Sequence, residues 1–346
     1  RPQILACAIV IPRAVTETPP MEPRLMKTIA RGAIAFTLLC ACQPAAAQTY
    51  PAKPLRIIVP SSPGGIIDIV ARLTGQKLTE ITGQVTVIEN RAGASNNIGT
   101  EYVARAPADG YTLLAATLPL VVNPGLFEKL AFNVERDFSP VSLVVSAPYV
   151  LVAHPSLPAK LMKELVALAK ARPGALSYST GGSGTNLHIA AELFALQAGV
   201  KLLHIPYKGG GPALASVIAG EAALSFPSLG AVLPQVNAKR LRAMAITSTQ
   251  RSPLLTQVPT IAESGYPEYA FTSWVGILAP AGTTPATVAA LNTLIVKAMR
   301  NPAVIERLAA DGSEVVAGSP EQFTVLIKTE LARWAKVVKA SGMKPE

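Results

Sequence analysis

Cysteine is scarce in this 346-residue chain and is confined to one end of it. All three cysteines, Cys7, Cys40 and Cys42, precede Gln48. A chain that starts near Gln48 would therefore have neither a disulfide framework nor thiol chemistry. Aromatic residues make up only 5% of the sequence, so Ala, Leu and Val supply most of the packing. Because half of the residues are apolar, the chain can build a large core, and its length allows two domains.

The common motifs of catalysis and nucleotide binding are also missing. The sequence contains no Walker A motif, no G-x-G-x-x-G after the first predicted strand, no G-x-S-x-G elbow, and neither an H-x-x-x-H pair nor a carboxylate cluster. Its three histidines, His154, His188 and His204, are isolated from one another and from paired acids. We therefore expect no metal, no cofactor and no catalytic residue.

Acidic residues are fewer than basic ones, 21 against 31, which gives a formal net charge of +10. The excess is spread along the chain, with no Lys/Arg block that alternates with aromatic residues. This pattern argues against a nucleic-acid partner. A basic surface would modestly raise the local concentration of anionic ligands, although it can equally be a plain solvated surface. No candidate transmembrane span follows Gln48.

The N-terminal segment has the features of a secretory signal peptide over residues 26–47. A basic stretch begins at Met26, an apolar stretch covers residues 32–42, and Ala45–Ala47 offers a cleavage site. Residues 1–25 carry no fold signal and stay unassigned. A buried N-terminal helix is an alternative for this region. A second alternative is a lipid anchor on Cys42, because Leu39–Cys42 loosely resembles a lipobox.

Strand-like and helix-like patterns alternate after Gln48, which predicts an α/β fold of parallel sheets with crossover helices. The predicted strands cover residues 56–59, 84–89, 111–116, 146–153, 175–180, 201–206, 222–226, 242–246 and 273–280. The predicted helices cover residues 66–81, 187–198 and 213–219, a short stretch ending at Arg105, and four segments beginning at Pro158, Pro285, Pro302 and Pro320. Residues 251–267 are predicted to be a surface segment with a short helix.

The stretch Val59–Arg72 carries the strongest functional signal. An apolar strand ends at a Pro/Ser/Gly turn, and a helix pattern starts at once. Such a turn aims backbone N–H groups and a helix N-terminus at one point, which favours a bound anion. Gly-rich loops at residues 181–186 and 207–212 repeat the arrangement, and ligands of open α/β sheets bind outside the carboxyl ends of the strands.

Individual residues in these loops are candidates for ligand contact. Gly64 and Gly65 would let the backbone approach a ligand closely. Neutral donors suited to carboxylate oxygens are Ser61, Ser62, Ser183 and Thr185. Asp68 falls in the first helical turn, so we expect it to fix the loop rather than to touch an anion. Lys208 could add a positive charge. For each of these residues an ordinary loop, cap or solvated role is the alternative.

Several ordered segments resemble the tripartite tricarboxylate transporter substrate-binding proteins, the Bug family. VPSSPGGIIDIVAR resembles the family's VPF-x-PGG-x-x-D-x-x-AR signature, and NRAGASNNIGTEYVARAPADGYTLL resembles its NRPGAGGNIG…PDGYTLL segment. IPYKGGGPALASVIAG, RSPLLTQVPTIAESGYP and SWVGILAPAGTTP also match. The resemblance runs in order over residues 50–346.

The resemblance implies a periplasmic, type II-like Venus flytrap whose two α/β domains close on a small carboxylate. Domain 1 would comprise residues 48–150 and 272–346, and domain 2 residues 151–271. The ligand would be a di- or tricarboxylate or an aromatic acid, passed to an inner-membrane permease, and we expect a monomer. The segments that match the family's cleft add Thr117, Gly184, Tyr207 and Gly209 to the predicted ligand-binding residues.

The chain departs from the family pattern at several positions. Ser61 stands where an aromatic residue is frequent, and Asn96 replaces a glycine but tolerates left-handed backbone. Ala223 stands near the place of a usual acidic residue, and together with Phe226 it favours a ligand without an ammonium group. Two other functions stay open: a periplasmic sensor that presents its closed form to a signalling partner, and a secreted ester hydrolase using Ser183 and His188. A structural or adhesive role would need exposed strands or repeats, which the sequence lacks.

Overall fold

A computed structural model describes residues 50–344 of the chain. The predicted signal peptide, the unassigned residues 1–25 and the possible lipid anchor at Cys42 lie outside the described residues. Within residues 50–344, none of the helices combines the length and the apolar character needed to cross a membrane.

Two separate sheets organise the described residues. The first has six strands in the order β11-β4-β10-β3-β1-β2. These strands are β1 (Leu55–Val59), β2 (Thr86–Asn90), β3 (Thr112–Ala116), β4 (Phe138–Pro148), β10 (Thr272–Pro280) and β11 (Glu314–Val315). The second has five strands in the order β7-β6-β8-β5-β9. These are β5 (Val150–Ala153), β6 (Ser177–Thr180), β7 (Leu203–Pro206), β8 (Leu224–Ser225) and β9 (Arg242–Ile246). We call the part built on the first sheet lobe 1 and the part built on the second lobe 2.

Within residues 50–344, ten α-helices surround the sheets. They are α1 (Ile66–Thr82), α2 (Asn97–Ala104), α3 (Pro119–Leu126), α4 (Met162–Ala171), α5 (Asn186–Ala198), α6 (Gly210–Ile218), α7 (Leu229–Asn237), α8 (Pro285–Met299), α9 (Pro302–Ala309) and α10 (Pro320–Ser341). A 3₁₀ turn at Pro253–Leu255 is the short helix predicted for the surface segment.

Helix α1 illustrates how the sequence produces these elements. Apolar residues at helical spacing bury one side of α1 against lobe 1, including Val70 and Leu78, both fully inaccessible to solvent. The helix ends at Gly83, whose φ of 71° is left-handed and whose N–H donates to the Thr79 carbonyl. Glycine is favoured there because it lacks the Cβ that disfavours this backbone conformation.

The predicted parallel pairing is present in both sheets, but each sheet also contains antiparallel pairs. Strands β1, β2 and β3 are parallel, but β10 runs antiparallel to both β3 and β4. In the second sheet β6 is parallel to β7 and β8, whereas β5 is antiparallel to β8 and β9. The antiparallel strands β5 and β10 are the first strands that the chain forms after each crossing between the sheets, and the short β11 is also antiparallel to β4.

The chain crosses between the sheets at two adjacent places. Only Tyr149 separates β4 from β5, so the run predicted over residues 146–153 is two strands in different sheets. The chain leaves the second sheet after β9, where Thr247 lies next to Tyr149. The Thr247 N–H donates to the Tyr149 carbonyl at 3.0 Å, and the Tyr149 N–H donates to Thr247 Oγ1 at 2.9 Å. The two connections therefore lie side by side between the lobes.

Candidate ligand-binding site

A cleft of about 950 Å³ lies at the carboxyl ends of strands from both sheets. The loops that line it follow β1, β2, β3, β6, β7 and β8, and each leads directly into a helix. This is the place where open α/β sheets bind ligands. The lining loops cover residues 60–65, 92–96, 181–183, 208–209 and 227–228, with Thr117, Thr185 and the first residues of the helices that follow.

Nine of the thirteen predicted ligand-binding residues line this cleft. They are Ser61, Ser62, Gly64, Gly65, Thr117, Ser183, Thr185, Lys208 and Gly209. Loops that are distant in sequence are thus brought together as the strand–loop–helix pattern predicts.

Asp68 lies behind the first loop rather than in the cleft. Its carboxylate accepts hydrogen bonds from the Gly64 N–H at 3.0 Å, from Arg72 Nε at 3.0 Å and from Asn90 Nδ2 at 2.9 Å. Burial alone would raise the pKa of Asp68, but the hydrogen bonds from Arg72, Gly64 and Asn90 outweigh it and keep this pKa below its ordinary value. Asn90 Nδ2 also donates to the Ser61 carbonyl at 3.1 Å, so Asp68 and Asn90 together fix both ends of the loop.

Gly184, Tyr207 and Phe226 do not line the cleft, which corrects their predicted placement. Gly184 packs against lobe 1, where a Cβ would come within 3.0 Å of Leu126 Cδ2. The Tyr207 hydroxyl turns to Glu221 Oε2 at 3.4 Å. Phe226 is fully buried in the core, with its ring 5.9 Å from that of Phe194. None of these three positions is distinguishable from a cleft position by local sequence alone.

His188 fixes the second Gly-rich loop from below. It is 4% exposed, and its Nδ1 accepts the Gly184 N–H at 3.0 Å. Its ring stacks on that of His204 with 4.4 Å between centroids. Burial, with a smaller contribution from His204, lowers the pKa of His188 to about 3, so the ring is neutral at pH 7. Because Nδ1 is occupied by a backbone N–H, it does not serve as a base toward the Ser183 hydroxyl, which has no hydrogen-bond partner among the described residues.

Four helices, α1, α5, α6 and α7, begin at the cleft without a side-chain cap, and so do the two eight-residue helices α2 and α3. Gly65 precedes α1, Thr185 precedes α5, Gly209 precedes α6 and Ser228 precedes α7, and none of these side chains accepts an N–H of its helix. Thr185 could cap α5, but its Oγ1 donates instead to the Gly182 carbonyl at 2.7 Å. The first N–H groups of a helix have no partner within the helix, so these four ends present free donors and positive dipole ends to one space.

Three of the described helices that begin away from the cleft have a side-chain cap. Thr284 accepts from the Thr287 N–H in α8, Asn301 from the Ala303 N–H in α9, and Ser319 from the Gln322 N–H in α10. Helix α4 also begins away from the cleft, but it follows Leu161, which cannot cap; there the Glu164 carboxylate accepts the Leu161 N–H at 3.2 Å.

Few charged side chains line the cleft. They are Lys208, Arg307 and Asp311. Arg307 and Asp311 form an ion pair at 3.0 Å, so they contribute no net charge. Lys208 is exposed and takes part in no ion pair within the described part of the chain. The charges and dipoles of the lining thus favour an anion, and the described residues contain no group of three or more His, Cys, Asp or Glu able to hold a metal ion.

A buried polar cluster that was not predicted from the sequence joins the lobes at the cleft. Asn186 Nδ2 donates to the hydroxyls of Tyr149 and Ser273, each at 2.8 Å, and lies 3.4 Å from Thr117 Oγ1. Thr117 and Ser273 also share a hydrogen bond at 3.1 Å. Asn186 belongs to lobe 2, whereas Thr117 and Ser273 belong to lobe 1. An Asn at the first turn of a helix is usually an unremarkable surface residue, so only its burial reveals the role.

Comparisons with known proteins agree with this geometry. The model of the tripartite tricarboxylate transporter family receptor matches residues 70–343. The protein BugT of Bordetella pertussis is 41% identical over 303 residues, which are 87% of this chain and 93% of that protein.

Solved structures match at similar extent. An R. palustris protein solved with adipate is 35% identical and has a TM-score of 0.80, over 86% of this chain and 100% of that chain. The protein MatC from Rhodopseudomonas palustris, solved with bound malate, is 30% identical and has a TM-score of 0.78, over 84% of this chain and 100% of that chain. The periplasmic binding protein BugD has a TM-score of 0.79 at 31% identity, over 86% of this chain and 100% of that chain. The predicted resemblance and fold class are confirmed: the chain belongs to the receptor family of the tripartite tricarboxylate transporters.

Proposed function

We propose that this receptor captures a small carboxylate between its two lobes in the periplasm and delivers it to an inner-membrane permease. The observation that carries the proposal is the convergence of four uncapped helix N-termini on one cleft. A carboxylate needs several hydrogen-bond donors and a favourable field, and these helix ends supply both without a dedicated cation. Relatives solved with adipate and with malate support the same class of ligand.

The lining charges favour a ligand that lacks an ammonium group. An ammonium would need an acidic partner in the cleft, and Asp311, the acidic side chain among the lining residues, is already paired with Arg307. The four helix ends would also repel a cation. The ligand-binding residues that we propose are the nine that line the cleft, with Asn186 and Ser228 added. The divisions at residues 150/151 and 271/272 are proposed as the domain boundaries, since the first lies next to the Tyr149 crossing and the second at the start of β10.

A thermal-unfolding panel tests the proposal with matched pairs of compounds. Malate and aspartate differ in a hydroxyl and an ammonium group, and adipate and adipamide differ in charge. A ligand at about 100 times its dissociation constant stabilises the folded chain by about 2.7 kcal/mol, which raises the melting temperature by several degrees.

We expect a shift with a carboxylate and none with its uncharged or ammonium-bearing counterpart. A shift with adipamide as large as that with adipate, or one with aspartate alone, would contradict the proposed ligand class. Folded protein that responds to no carboxylate, and that carries no bound acid in native mass spectrometry, would contradict carboxylate capture itself.

A further inference from the structure

A short segment of lobe 1 has an unusual backbone where it faces the cleft. Ala94, Ser95 and Asn96 have φ values of 45°, 51° and 75°, so three consecutive non-glycine residues are left-handed. L-residues avoid this region because their Cβ crowds the following carbonyl, and runs of them are rare. Such a strained conformation persists only where the surrounding structure holds it in place, and it occurs most often at functional sites.

Neighbouring side chains of lobe 1 impose this conformation. Asn123, which is 1% exposed, donates through Nδ2 to the Ser95 carbonyl at 2.7 Å and to Asn97 Oδ1 at 2.8 Å. Thr100 Oγ1 donates to the Asn96 carbonyl at 2.8 Å. The segment is therefore part of the rigid body of lobe 1, and it carries the Ser95 side chain to a fixed position.

At that position Ser95 contacts the other lobe. Its hydroxyl donates to the Ser183 carbonyl of lobe 2 at 2.5 Å. The next residue, Gly184, permits the approach: a Cβ on Gly184 would lie 3.0 Å from Leu126 Cδ2, 3.1 Å from Asn123 Oδ1 and 3.4 Å from Ser95 Cβ. Its φ of 73° also disfavours any side chain. The Gly184 N–H is bonded to His188, which keeps the receiving surface in place.

We infer that Ser95 is a positioning residue that latches the two lobes together at the cleft and slows the release of the bound solute. The bond joins side chain to backbone across the lobes, so it exists only while the lobes are closed at this edge. It stabilises the closed form over any form in which these loops separate, and a ligand leaves through the separated form. The inference rests on the proposed function for its ligand, but the contact itself does not depend on it.

Two substitutions at one position separate the latch from the backbone conformation. Ser95→Ala removes the hydroxyl and keeps the strain of a left-handed L-residue, whereas Ser95→Gly removes both. The latch predicts that both variants release adipate or malate roughly two- to tenfold faster than the unmodified chain in stopped-flow displacement, the range that one hydrogen bond supplies. Equal release rates in all three proteins would overturn the inference, as would faster release in only one variant.

Ser142→Ala is the matched control. Ser142 Oγ also donates to a backbone carbonyl, that of Gly318 at 2.9 Å, but the bond lies within lobe 1 and away from the cleft. We expect this variant to lose stability without a change in the release rate. A release rate raised as much as in Ser95→Ala would show that the effect is general loosening, and the latch would be wrong.

Hydrogen exchange on the ligand-free protein decides the matter even if neither acid binds. If Ser95 latches the lobes, Ser95→Gly raises amide exchange both in residues 92–97 of lobe 1 and in residues 181–186 of lobe 2. A change confined to residues 92–97 would overturn the latch. A failure of the proposed function, by contrast, would appear as the absence of carboxylate binding in the unmodified chain, with this exchange pattern intact.

Discussion

Single residues that never reach the cleft decide its shape. Asp68 accepts the Gly64 N–H from behind the first loop, and His188 accepts the Gly184 N–H from beneath the second. The two side chains differ in charge: Asp68 accepts as an ionised carboxylate, and His188 accepts as a neutral imidazole. His188 can accept this bond only while Nδ1 is deprotonated, and its pKa of about 3 keeps the ring neutral in the folded chain through the neutral range. Acid therefore acts on this contact through the free energy of unfolding.

The depressed pKa of His188 predicts a specific loss of stability in acid. In the folded chain this pKa is about 3, below the ordinary value of 6.5, so the unfolded chain binds the proton more readily. The contribution of His188 is therefore fully present above about pH 6.5 and is lost progressively as the pH falls towards about 3. Between pH 7 and pH 5 this one group should cost about 2 kcal/mol of unfolding free energy.

Urea unfolding at pH 7 and pH 5 measures this loss. In His188→Gln the unfolding free energy should fall by about 2 kcal/mol less between pH 7 and pH 5 than in the unmodified chain, because glutamine does not titrate. His154→Gln is the control, since His154 lies outside the cleft and bonds only locally to Ser156. An unchanged drop in His188→Gln would mean that His188 is not the group responsible.

At the scale of elements, the two ends of helix α1 have different roles. The N-terminal end of α1 faces the ligand space, and its C-terminal end closes the helix. Gly65 has an ordinary φ of −79° and open space around the position of a Cβ, whereas Gly83 has a left-handed φ of 71°. Function at the first end and stability at the second should therefore respond to different substitutions.

Gly65→Val and Gly83→Ala form a matched pair on this helix. Gly65→Val should abolish the ligand-induced shift in melting temperature, since its side chain enters the cleft, while the unliganded melting temperature changes little. Gly83→Ala should lower stability by about 1 kcal/mol, because alanine is strained in the left-handed region, and leave the shift intact. Thermal unfolding with and without adipate and malate measures both. A full ligand-induced shift in Gly65→Val would remove the first loop from the binding site.

Helices and strands with a clear hydrophobic periodicity and with glycine or proline at their ends were predictable from the sequence. Helix α5, for example, ends at Gly199 as expected, and α8 to α10 begin at their predicted prolines. Helices α3 and α7 were missed because each contains an internal proline, Pro124 and Pro234, which normally ends a helix. Most of β4 was missed as well, since a long strand paired on both sides shows no alternation of apolar and polar residues.

The binding site was predictable only in part, for a reason that belongs to tertiary structure. Local patterns identified the loops, because a strand that is followed by glycines and then by a helix can be recognised in the sequence. Ser95 and Ser183, or Asn186 and Tyr149, come together only when two sheets meet, and nothing in the flanking residues specifies such pairs. The same limit explains Phe226, which follows a strand at the cleft yet points into the core.

At the scale of the whole molecule, the Asn186 cluster joins the lobes where the chain crosses between them. Tyr149 lies in the first crossing and Asn186 begins α5, so their hydrogen bond of 2.8 Å ties lobe 2 to the connection. Both residues are more than nine-tenths buried, which makes the loss of either partner costly.

A double-mutant cycle on Tyr149→Phe and Asn186→Ala measures this connection. Each single variant should lose about 1 kcal/mol or more of unfolding free energy, and the two should couple by about 1 kcal/mol, because they remove the same bond. Urea unfolding gives the four values. Tyr102→Phe is the control: its hydroxyl accepts from Arg56 at an exposed place within lobe 1, so its loss should stay within about 0.5 kcal/mol. Strict additivity of the two cleft variants would contradict a shared bond.

The position of β10 in the first sheet sets an order for assembly. This strand lies between β3 and β4, in the middle of its sheet, yet it follows all five strands of the second sheet along the chain. If the chain folds progressively from its N-terminus, the second sheet can be complete while the first still lacks β10 at its centre. Lobe 1, although it begins first, is therefore completed last, and the cleft becomes competent only when the final quarter of the polypeptide is in place.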